Sequence, residues 1–156
     1  MNIIERVGGS KWFLRLAPKF VPQMDNFVYK LTRGRVLPTS LYMPMIRITS
    51  IGRRSGEPRT VVVATIPHEG NFIVVGSNYG QEHHPAWSHN LIANPEATAE
   101  YRGKVFPVTA HRASPEEKAE LWPTIVGQWP NFDRYSEHSG GRDLRVFVLQ
   151  PQGQPR

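Results

Sequence analysis

Cysteine is absent from this chain of 156 residues, which excludes disulfides, thiolate metal ligands and thiol nucleophiles. No apolar run approaches the roughly 18 residues that a membrane-spanning helix needs, and residues 1–10 lack the apolar stretch of a secretory signal. We therefore expect a cytoplasmic protein. The sequence also lacks a Walker A motif, a G-x-G-x-x-G fingerprint and a G-x-S-x-G elbow. Neither a familiar nucleotide-binding loop nor a hydrolytic nucleophile is evident.

Acidic residues are scarce in the first part of the chain. Residues 1–60 contain 11 Lys and Arg against 3 Asp and Glu, a net charge of +8, whereas residues 61–156 carry −2. The composition is otherwise ordinary for a globular protein of one domain, with 39% hydrophobic and 21% charged residues. A positive field confined to one segment indicates an anionic partner there, or only a solvated basic face.

Residues 1–44 are predicted to form an amphipathic helical segment, followed by a linker from residue 34. Apolar residues recur at helical spacing, and Pro18 and Pro22 are predicted to interrupt the helix. The apolar positions are Trp12, Phe13, Leu16, Met24, Phe27, Val28 and Leu31. Interleaved basic side chains would allow the segment to lie on a membrane surface. We expect instead that its apolar face covers the core of the same domain.

The hydrophobic period changes to two in residues 45–156. Strands are predicted at residues 45–51, 59–67, 71–77, 97–101, 104–113 and 144–150, and helices at residues 85–93 and 114–127. Ser114, Pro115 and Glu117 mark the start of the second of these helices as cap, first-turn proline and capping-box acid. Six strands with helices inserted between them predict an α+β fold, a small and mostly antiparallel barrel.

The first candidate site is the basic turn, residues 52–59, which reads Gly-Arg-Arg-Ser-Gly-Glu-Pro-Arg. Glycines permit a tight turn that presents backbone N–H groups, and arginines offer forked donors to phosphate or carboxylate. Spacing alone supports two interpretations equally, an anion site and a charged hairpin loop.

The second candidate is the segment 76–87, where a strand ends in small and polar residues before a helix that begins near Trp87. Such a loop can approach a flat heterocycle, with Pro85 and Trp87 as apolar walls. His83, His84 and His89 lack the spacing and the partner ligands of a metal site, so no metal is expected. Trp129, Phe132 and Tyr135 recur every third residue and would form one aromatic stripe on a helix. That stripe serves either core packing or a lid over a planar substrate.

Three ordered blocks resemble the deazaflavin-dependent nitroreductase family, split β-barrel reductases that use coenzyme F420. The blocks are residues 49–59, residues 84–95 with the pattern Pro-x-Trp-x-x-Asn-Leu-x-x-Asn-Pro, and residues 121–135. The resemblance implies a six-stranded split β-barrel with an N-terminal helix. It also implies coenzyme F420, an 8-hydroxy-5-deazaflavin, as the cofactor.

The resemblance assigns roles to particular residues. The cofactor's phosphodiester and acidic tail would be held by Arg53, Arg54, Ser55, Gly56 and Arg59. The ring and ribityl chain would be lined by Ser77, Asn78, Pro85, Ala86, Trp87 and Asn90. The substrate pocket would be formed by Trp129, Phe132 and Tyr135, where nitroimidazole-activating members carry three tyrosines. Those members also have lysine in place of Asn78, and both departures count against nitroimidazole activation.

The implied activity is hydride transfer from the reduced cofactor to a flat, electron-poor small molecule. Acceptors of this kind are quinones, nitroaromatics and α,β-unsaturated lactones or ketones. The accompanying proton would come from Tyr135, Ser77 or solvent. The alternatives are an FMN-binding split-barrel oxidoreductase, a non-catalytic deazaflavin carrier, and a nucleic-acid or membrane-surface module that uses the basic segment. The oligomeric state is left open.

Overall fold

The computed structural model describes residues 3–33, 36, 38–41 and 43–153. The strands are β1 (Met45–Ile51), β2 (Pro58–His68), β3 (Asn71–Val75), β4 (Glu96–Tyr101), β5 (Lys104–Arg112) and β6 (Val146–Pro151). The α-helices are α1 (Ile3–Gly8), α2 (Lys11–Leu31), α3 (Ala86–Ala93), α4 (Pro115–Gln128) and α5 (Asn131–His138). Two 3₁₀ turns, Pro38–Leu41 and Asn78–Gly80, complete the order.

The strands close into an antiparallel barrel in the order β1-β2-β3-β6-β5-β4. Tight turns join β1 to β2, β2 to β3, and β4 to β5, whereas β4 returns to pair with β1. Closure satisfies the hydrogen-bonding groups that an open sheet would leave at its edges. The predicted α+β barrel of six antiparallel strands is therefore confirmed.

Alternation along the strands divides the apolar side chains between two cores. Val74 joins the cluster that fills the barrel, together with Ile48 and Phe147. Its neighbours Ile73 and Val75 join a second cluster between the barrel wall and the helices. Because successive residues of a strand point to opposite faces, one short strand serves both cores.

The prediction that Pro18 and Pro22 interrupt the N-terminal helix was wrong. Both lie inside α2, which runs unbroken for 21 residues. Each proline removes one backbone hydrogen bond, but the helix is held by packing, since Leu14 and Ala17 are buried against the rest of the molecule. Tertiary packing rather than local propensity supplies most helical stability in folded proteins.

The predicted burial of the α2 apolar face was also wrong for most of its members. An exposed apolar stripe runs along the helix, with exposed fractions of 43–72%, and consists of Trp12, Leu16, Phe20, Met24, Phe27 and Leu31. The helix ends at Leu31, where the Thr32 hydroxyl donates to the Val28 carbonyl. Gly34, the predicted end, lies outside the described residues. The predicted linker contains the turn Pro38–Leu41.

The start of α4 agrees with the predicted Ser114 cap and first-turn Pro115, whereas the Glu117 carboxylate contacts His111 in place of the capping-box bond to Ser114 N–H. The Glu117 backbone N–H donates to the Ser114 hydroxyl oxygen over 3.1 Å, and Pro115 occupies the first turn. The Glu117 carboxylate lies 3.1 Å from Nε2 of His111 on β5. The helix is thereby tied to the barrel at its first turn.

Candidate functional site

A cavity of about 510 Å³ lies between the barrel wall and the N-terminal helices. Helix α2 contributes Pro18, Val21 and Pro22 to its lining, and β2 contributes residues 61–64. Its walls are mostly apolar, and its volume is typical of a site for a small organic molecule. The two prolines that the helix tolerates thus face this cavity.

Seven residues that the sequence predicted for the ring and substrate sites meet at this cavity. They come from the 76–84 loop, the start of α3 and the region around α5, and are Ser77, Asn78, Pro85, Trp87, Trp129, Phe132 and Tyr135. The structure therefore joins the second and third sequence candidates into one site. The predicted single aromatic stripe was wrong in one respect, because Trp129 caps the end of α4 and only Phe132 and Tyr135 belong to α5.

The 76–84 loop has an unusual backbone. Asn78, Tyr79 and Gly80 have φ values of 45°, 55° and 78°, a left-handed conformation that L-residues adopt at a cost. The Asn78 side chain stabilises the loop by donating from Nδ2 to the His83 carbonyl over 3.1 Å. The loop thereby turns Ser77, Asn78 and Tyr79 into the cavity wall.

Arg142, which the sequence did not single out, fastens this loop. Its Nε donates to the Gln81 carbonyl over 3.0 Å, and its Nη2 donates to the carbonyls of Ser77 and Gln81 over 2.7 and 2.9 Å. Its Nη1 lies 2.9 Å from the Gly76 carbonyl and 3.1 Å from Nδ1 of His84. All five guanidinium N–H donors are therefore used.

His84 must be neutral for the last of these contacts, because only an unprotonated Nδ1 accepts a hydrogen bond. Partial burial, together with Arg145 and Arg142, lowers the pKa of His84 to about 4. His84 thus serves as a hydrogen-bond acceptor in the loop.

Tyr79 is a further residue that sequence reasoning missed. Its ring packs edge-on against Phe13 of α2 and Tyr135 of α5, at centroid distances of 6.5 and 6.3 Å. Burial, with smaller effects of Tyr135 and Asp25, raises the pKa of the Tyr79 hydroxyl. Tyr79 therefore connects α2 to the aromatic residues of α5 that line the cavity, and its hydroxyl stays protonated at neutral pH.

The Tyr135 hydroxyl is held by its own hydrogen bonds. It donates to the Gly8 carbonyl over 3.3 Å and accepts from Nε1 of Trp129 over 3.3 Å. Burial raises its pKa. Trp129 in turn packs against Gly8, where an added Cβ would lie 2.8 Å from the indole ring. The junction of α1 and α2 is thereby fixed to the aromatic wall.

The basic turn joins β1 to β2 outside the cavity. Gly52 N–H donates to the Glu57 carbonyl and Gly56 N–H to the Gly52 carbonyl, each over 2.8 Å, and Gly56 has a φ of 69°. The Ser55 hydroxyl accepts from Glu57 N–H over 3.2 Å. The turn is thus internally hydrogen-bonded, and the arginine side chains at its surface are exposed.

Asn90 connects the basic turn to the cavity through α3. Its Oδ1 accepts from the Arg53 N–H over 3.0 Å, while Trp87, one turn earlier on α3, lines the cavity. Three residues of helix span about 4.5 Å along the axis. Asn90 and the exposed Ala86 do not line the cavity, although the sequence placed both beside the ring.

A family model described as F420H(2)-dependent quinone reductase matches residues 23–151. The chain belongs to the F420H(2)-dependent quinone reductase family. Two proteins of Mycobacterium tuberculosis (strain ATCC 25618 / H37Rv) illustrate the similarity. The F420H(2)-dependent quinone reductase Rv1261c is 27% identical over 147 residues, which cover 90% of this chain and 96% of that protein. The protein Rv3178, provisionally named an F420H(2)-dependent quinone reductase, is 32% identical over 110 residues. These residues cover 70% of this chain and 92% of that protein.

Solved structures extend the likeness to the fold. An F420-H2-dependent reductase (FDR-A) superposes with a TM-score of 0.62 at 30% identity, covering 69% of this chain and 94% of the other. A chain described as a domain-swapped dimer superposes with a TM-score of 0.64 at 28% identity, covering 82% and 94%. Membership of the quinone reductase family makes this chain an oxidoreductase that uses coenzyme F420.

The observed residues fit such a cofactor. An apolar cavity with Trp87 and Pro85 on its wall suits a flat ring system. The exposed arginines of the basic turn, one helical turn away along α3, suit a phosphodiester and carboxylates. Within the described residues, no group of three side chains could hold a metal ion.

Proposed function

We propose that this chain reduces a flat, electron-poor small molecule, a quinone first of all, by hydride transfer from reduced F420. Nitroaromatics and α,β-unsaturated lactones or ketones are further acceptors of the same chemical type. The observation that carries the proposal is the pairing of an apolar, aromatic-walled cavity with the basic turn through α3. The ring and the acidic part of one elongated ligand would then occupy neighbouring places.

Each group of residues has its part in this proposal. The phosphodiester and acidic tail would be held by Arg53, Arg54, Ser55, Gly56 and Arg59, and the ring by Ser77, Asn78, Pro85 and Trp87. Asn90 would act on the turn by fixing Arg53, as observed. Trp129 and Phe132 would shape the substrate's place and exclude water from it.

The bound, reduced cofactor supplies the hydride, and the protein supplies orientation and a proton. The Tyr135 hydroxyl already donates a hydrogen bond to the Gly8 carbonyl, so it would fix the geometry of the cavity wall. Ser77 lines the cavity at the start of the left-handed loop. We therefore favour Ser77, or water beside it, as the proton donor.

Ser77→Ala should lower kcat at least tenfold with a smaller effect on KM, because a general acid acts in the transition state. Tyr135→Phe should lose less kcat than Ser77→Ala. Steady-state rates with menadione as acceptor measure both. A larger loss of kcat in Tyr135→Phe would make Tyr135 the donor instead.

A titration with F420, FMN and NADPH tests the cofactor assignment, followed by addition of menadione or a coumarin lactone to the reduced complex. Binding of F420 with turnover of menadione is expected. Tight binding of FMN without F420 binding would make the chain a flavin enzyme. F420 binding with no turnover of any acceptor would make it a carrier.

Arg54→Ala combined with Arg59→Ala should weaken F420 binding at least tenfold, since each charge-assisted hydrogen bond is worth about 1.5–3 kcal/mol. The matched control is Arg102→Ala with Lys104→Ala, which removes two charges from the β4–β5 hairpin. Circular dichroism checks that both double variants fold. Equal affinities of the two would place the acidic tail away from the basic turn.

We further propose that the exposed apolar stripe of α2 rests on an anionic membrane surface. Lys11, Arg15, Lys19 and Lys30 lie along one edge of the stripe at helical spacing, as in helices that bind the interface of a bilayer. Met24 belongs both to the stripe and to the cavity lining, so a lipophilic acceptor would have a short route inward. None of the helices in the described part of the chain has the length and apolar character that crossing a bilayer requires.

A further inference from the structure

A second group of basic side chains contacts α3 close to the basic turn. We define this cluster as the guanidinium groups of Arg145 and Arg112 together with the neutral imidazoles of His84 and His89. Arg145 precedes β6, and its carbonyl accepts from the Gly76 N–H over 2.8 Å. Its Nη1 lies 3.2 Å from the Ser88 hydroxyl and 3.2 Å from Nδ1 of His89. The cluster therefore joins the barrel wall to the first turn of α3.

The charge of this cluster is not neutralised. The ion pairs seen among the described residues do not include Arg145, Arg112, Arg53 or Arg54. Burial, together with Arg112 and Arg53, lowers the pKa of Arg145, and burial, Arg145 and Arg53 lower that of His89. Arg145 is half-buried, and a partly buried cation beside other cations is costly unless an anion offsets its charge.

Comparison of the two neighbouring arginines distinguishes a structural guanidinium from an available one. Arg142 uses all five of its N–H donors within the protein. Arg145 makes its side-chain contacts through Nη1, and its buried Nε has no hydrogen-bond partner. A buried guanidinium donor is seldom left unpaired in a folded protein. Arg145 therefore retains guanidinium N–H donors for a further hydrogen-bond acceptor.

The cluster is continuous with the basic turn. The Arg53 N–H bonds to Asn90, the residue after His89, and the charges of Arg53 and Arg54 both act on His89. The turn and the cluster therefore meet at neighbouring positions of α3.

We propose that Arg145, with His89 and Ser88, forms an anion subsite that binds one phosphate or carboxylate group of an oligoanionic ligand whose other acidic groups bind the basic turn. The identification of that ligand as the cofactor rests on the proposed function. The subsite itself does not, because an inorganic anion tests it without any redox chemistry.

The first test follows histidine titrations by NMR, with inorganic pyrophosphate as the probe. Bound anion should raise the titration midpoints of His89 and His84 by about one pH unit, because it offsets the neighbouring arginines. His68, which lies beside Glu69 on the β2–β3 hairpin, is the internal control. Arg145→Gln should abolish the response and Arg145→Lys should retain part of it. Unchanged His89 and His84 midpoints in the wild-type protein would overturn the subsite.

The second test compares F420 with the tail-free 8-hydroxy-5-deazaflavin nucleoside. Arg145→Gln should weaken F420 binding at least tenfold and leave binding of the tail-free compound within twofold. Equal losses for both ligands would assign Arg145 a structural role and overturn the proposal. A pyrophosphate response without any F420 binding would retain the subsite and refute the proposed function instead.

Discussion

At the scale of single residues, the candidate site depends on contacts between positions far apart in the chain. Arg142 fastens a loop that lies about 60 positions earlier, with five hydrogen bonds to Gly76, Ser77, Gln81 and His84. A loop with successive left-handed residues needs such support, because its backbone conformation is unfavourable by itself. The guanidinium therefore sets the position of the cavity wall without being part of it.

The neutral state of His84 gives a pH dependence to this arrangement. Its pKa in the folded protein is about 4, against 6.5 for an ordinary histidine. Between these values the unfolded chain binds a proton that the folded chain does not, so acidification through this range destabilises the fold. Above pH 6.5 the effect is absent.

His84→Asn provides the matched comparison, because an amide oxygen can accept the Arg142 hydrogen bond but does not titrate. Urea unfolding from pH 7 down to pH 4 should show a smaller loss of unfolding free energy in the variant than in the wild-type protein. Parallel curves for the two proteins would contradict the assignment of His84 as the titrating group.

The residues predicted from sequence were those that carry a local signal. Pro85, Trp87 and Ser77 stand in a compact pattern with turn chemistry around them, and all line the cavity. Arg142, Arg145 and Tyr79 carry no such signal, since their importance comes from neighbours that only the closed barrel supplies. Asn90 lay within the motif, but its contact with Arg53 could not be read from spacing.

At the scale of elements, strands were predicted well because alternation along the chain is itself the barrel's packing pattern. Helix α2 was harder to predict. Pro18 and Pro22 mark a break by local rules, yet both fit inside a helix whose stability comes from its contacts. Its apolar periodicity also identified a helix without identifying which apolar positions would be covered.

The 3₁₀ turn Asn78–Gly80 yields a prediction about an element. Gly80 has a φ of 78°, and an added Cβ would lie 3.0 Å from the Tyr135 carbonyl oxygen. Gly80→Ala should therefore cost about 1–3 kcal/mol for backbone strain and about 1–3 kcal/mol more for crowding.

Gly103→Ala separates these two costs, because Gly103 has the same φ of 78° but nothing within 4 Å of an added Cβ. Chemical denaturation of both variants measures the difference. Equal destabilisation would show that the turn accommodates a Cβ by a small shift away from α5.

At the scale of the whole molecule, apolar exposure is concentrated on α2. Phe27 and Leu31 are 67% and 72% exposed, and neighbouring stripe residues add to one continuous surface. Contiguous patches of this kind mark interaction surfaces in soluble proteins. Neighbouring basic side chains favour an anionic lipid surface over a second protein.

Trp12→Gln with Phe27→Gln should reduce cosedimentation with vesicles of anionic phospholipid at least tenfold. Ile92→Gln with Val105→Gln, at exposed apolar positions elsewhere, should leave it unchanged. Binding of the wild-type protein should also weaken with added salt and with zwitterionic vesicles.

A different result would point to self-association. If the wild-type protein sediments as a dimer without lipid and the stripe variant as a monomer, the stripe is a contact between two copies of this chain. The membrane proposal would then be wrong.

The two parts of the proposed ligand site come from separate regions of the chain. Arg54, Arg59 and Arg145, proposed to hold the acidic ligand, lie on the barrel strands or in the loops beside them, whereas Pro18 and Val21 line the cavity from α2. Exchanging residues 3–33 between relatives should therefore change which acceptors fit the cavity, while the arginines that we propose to hold the acidic ligand stay unchanged.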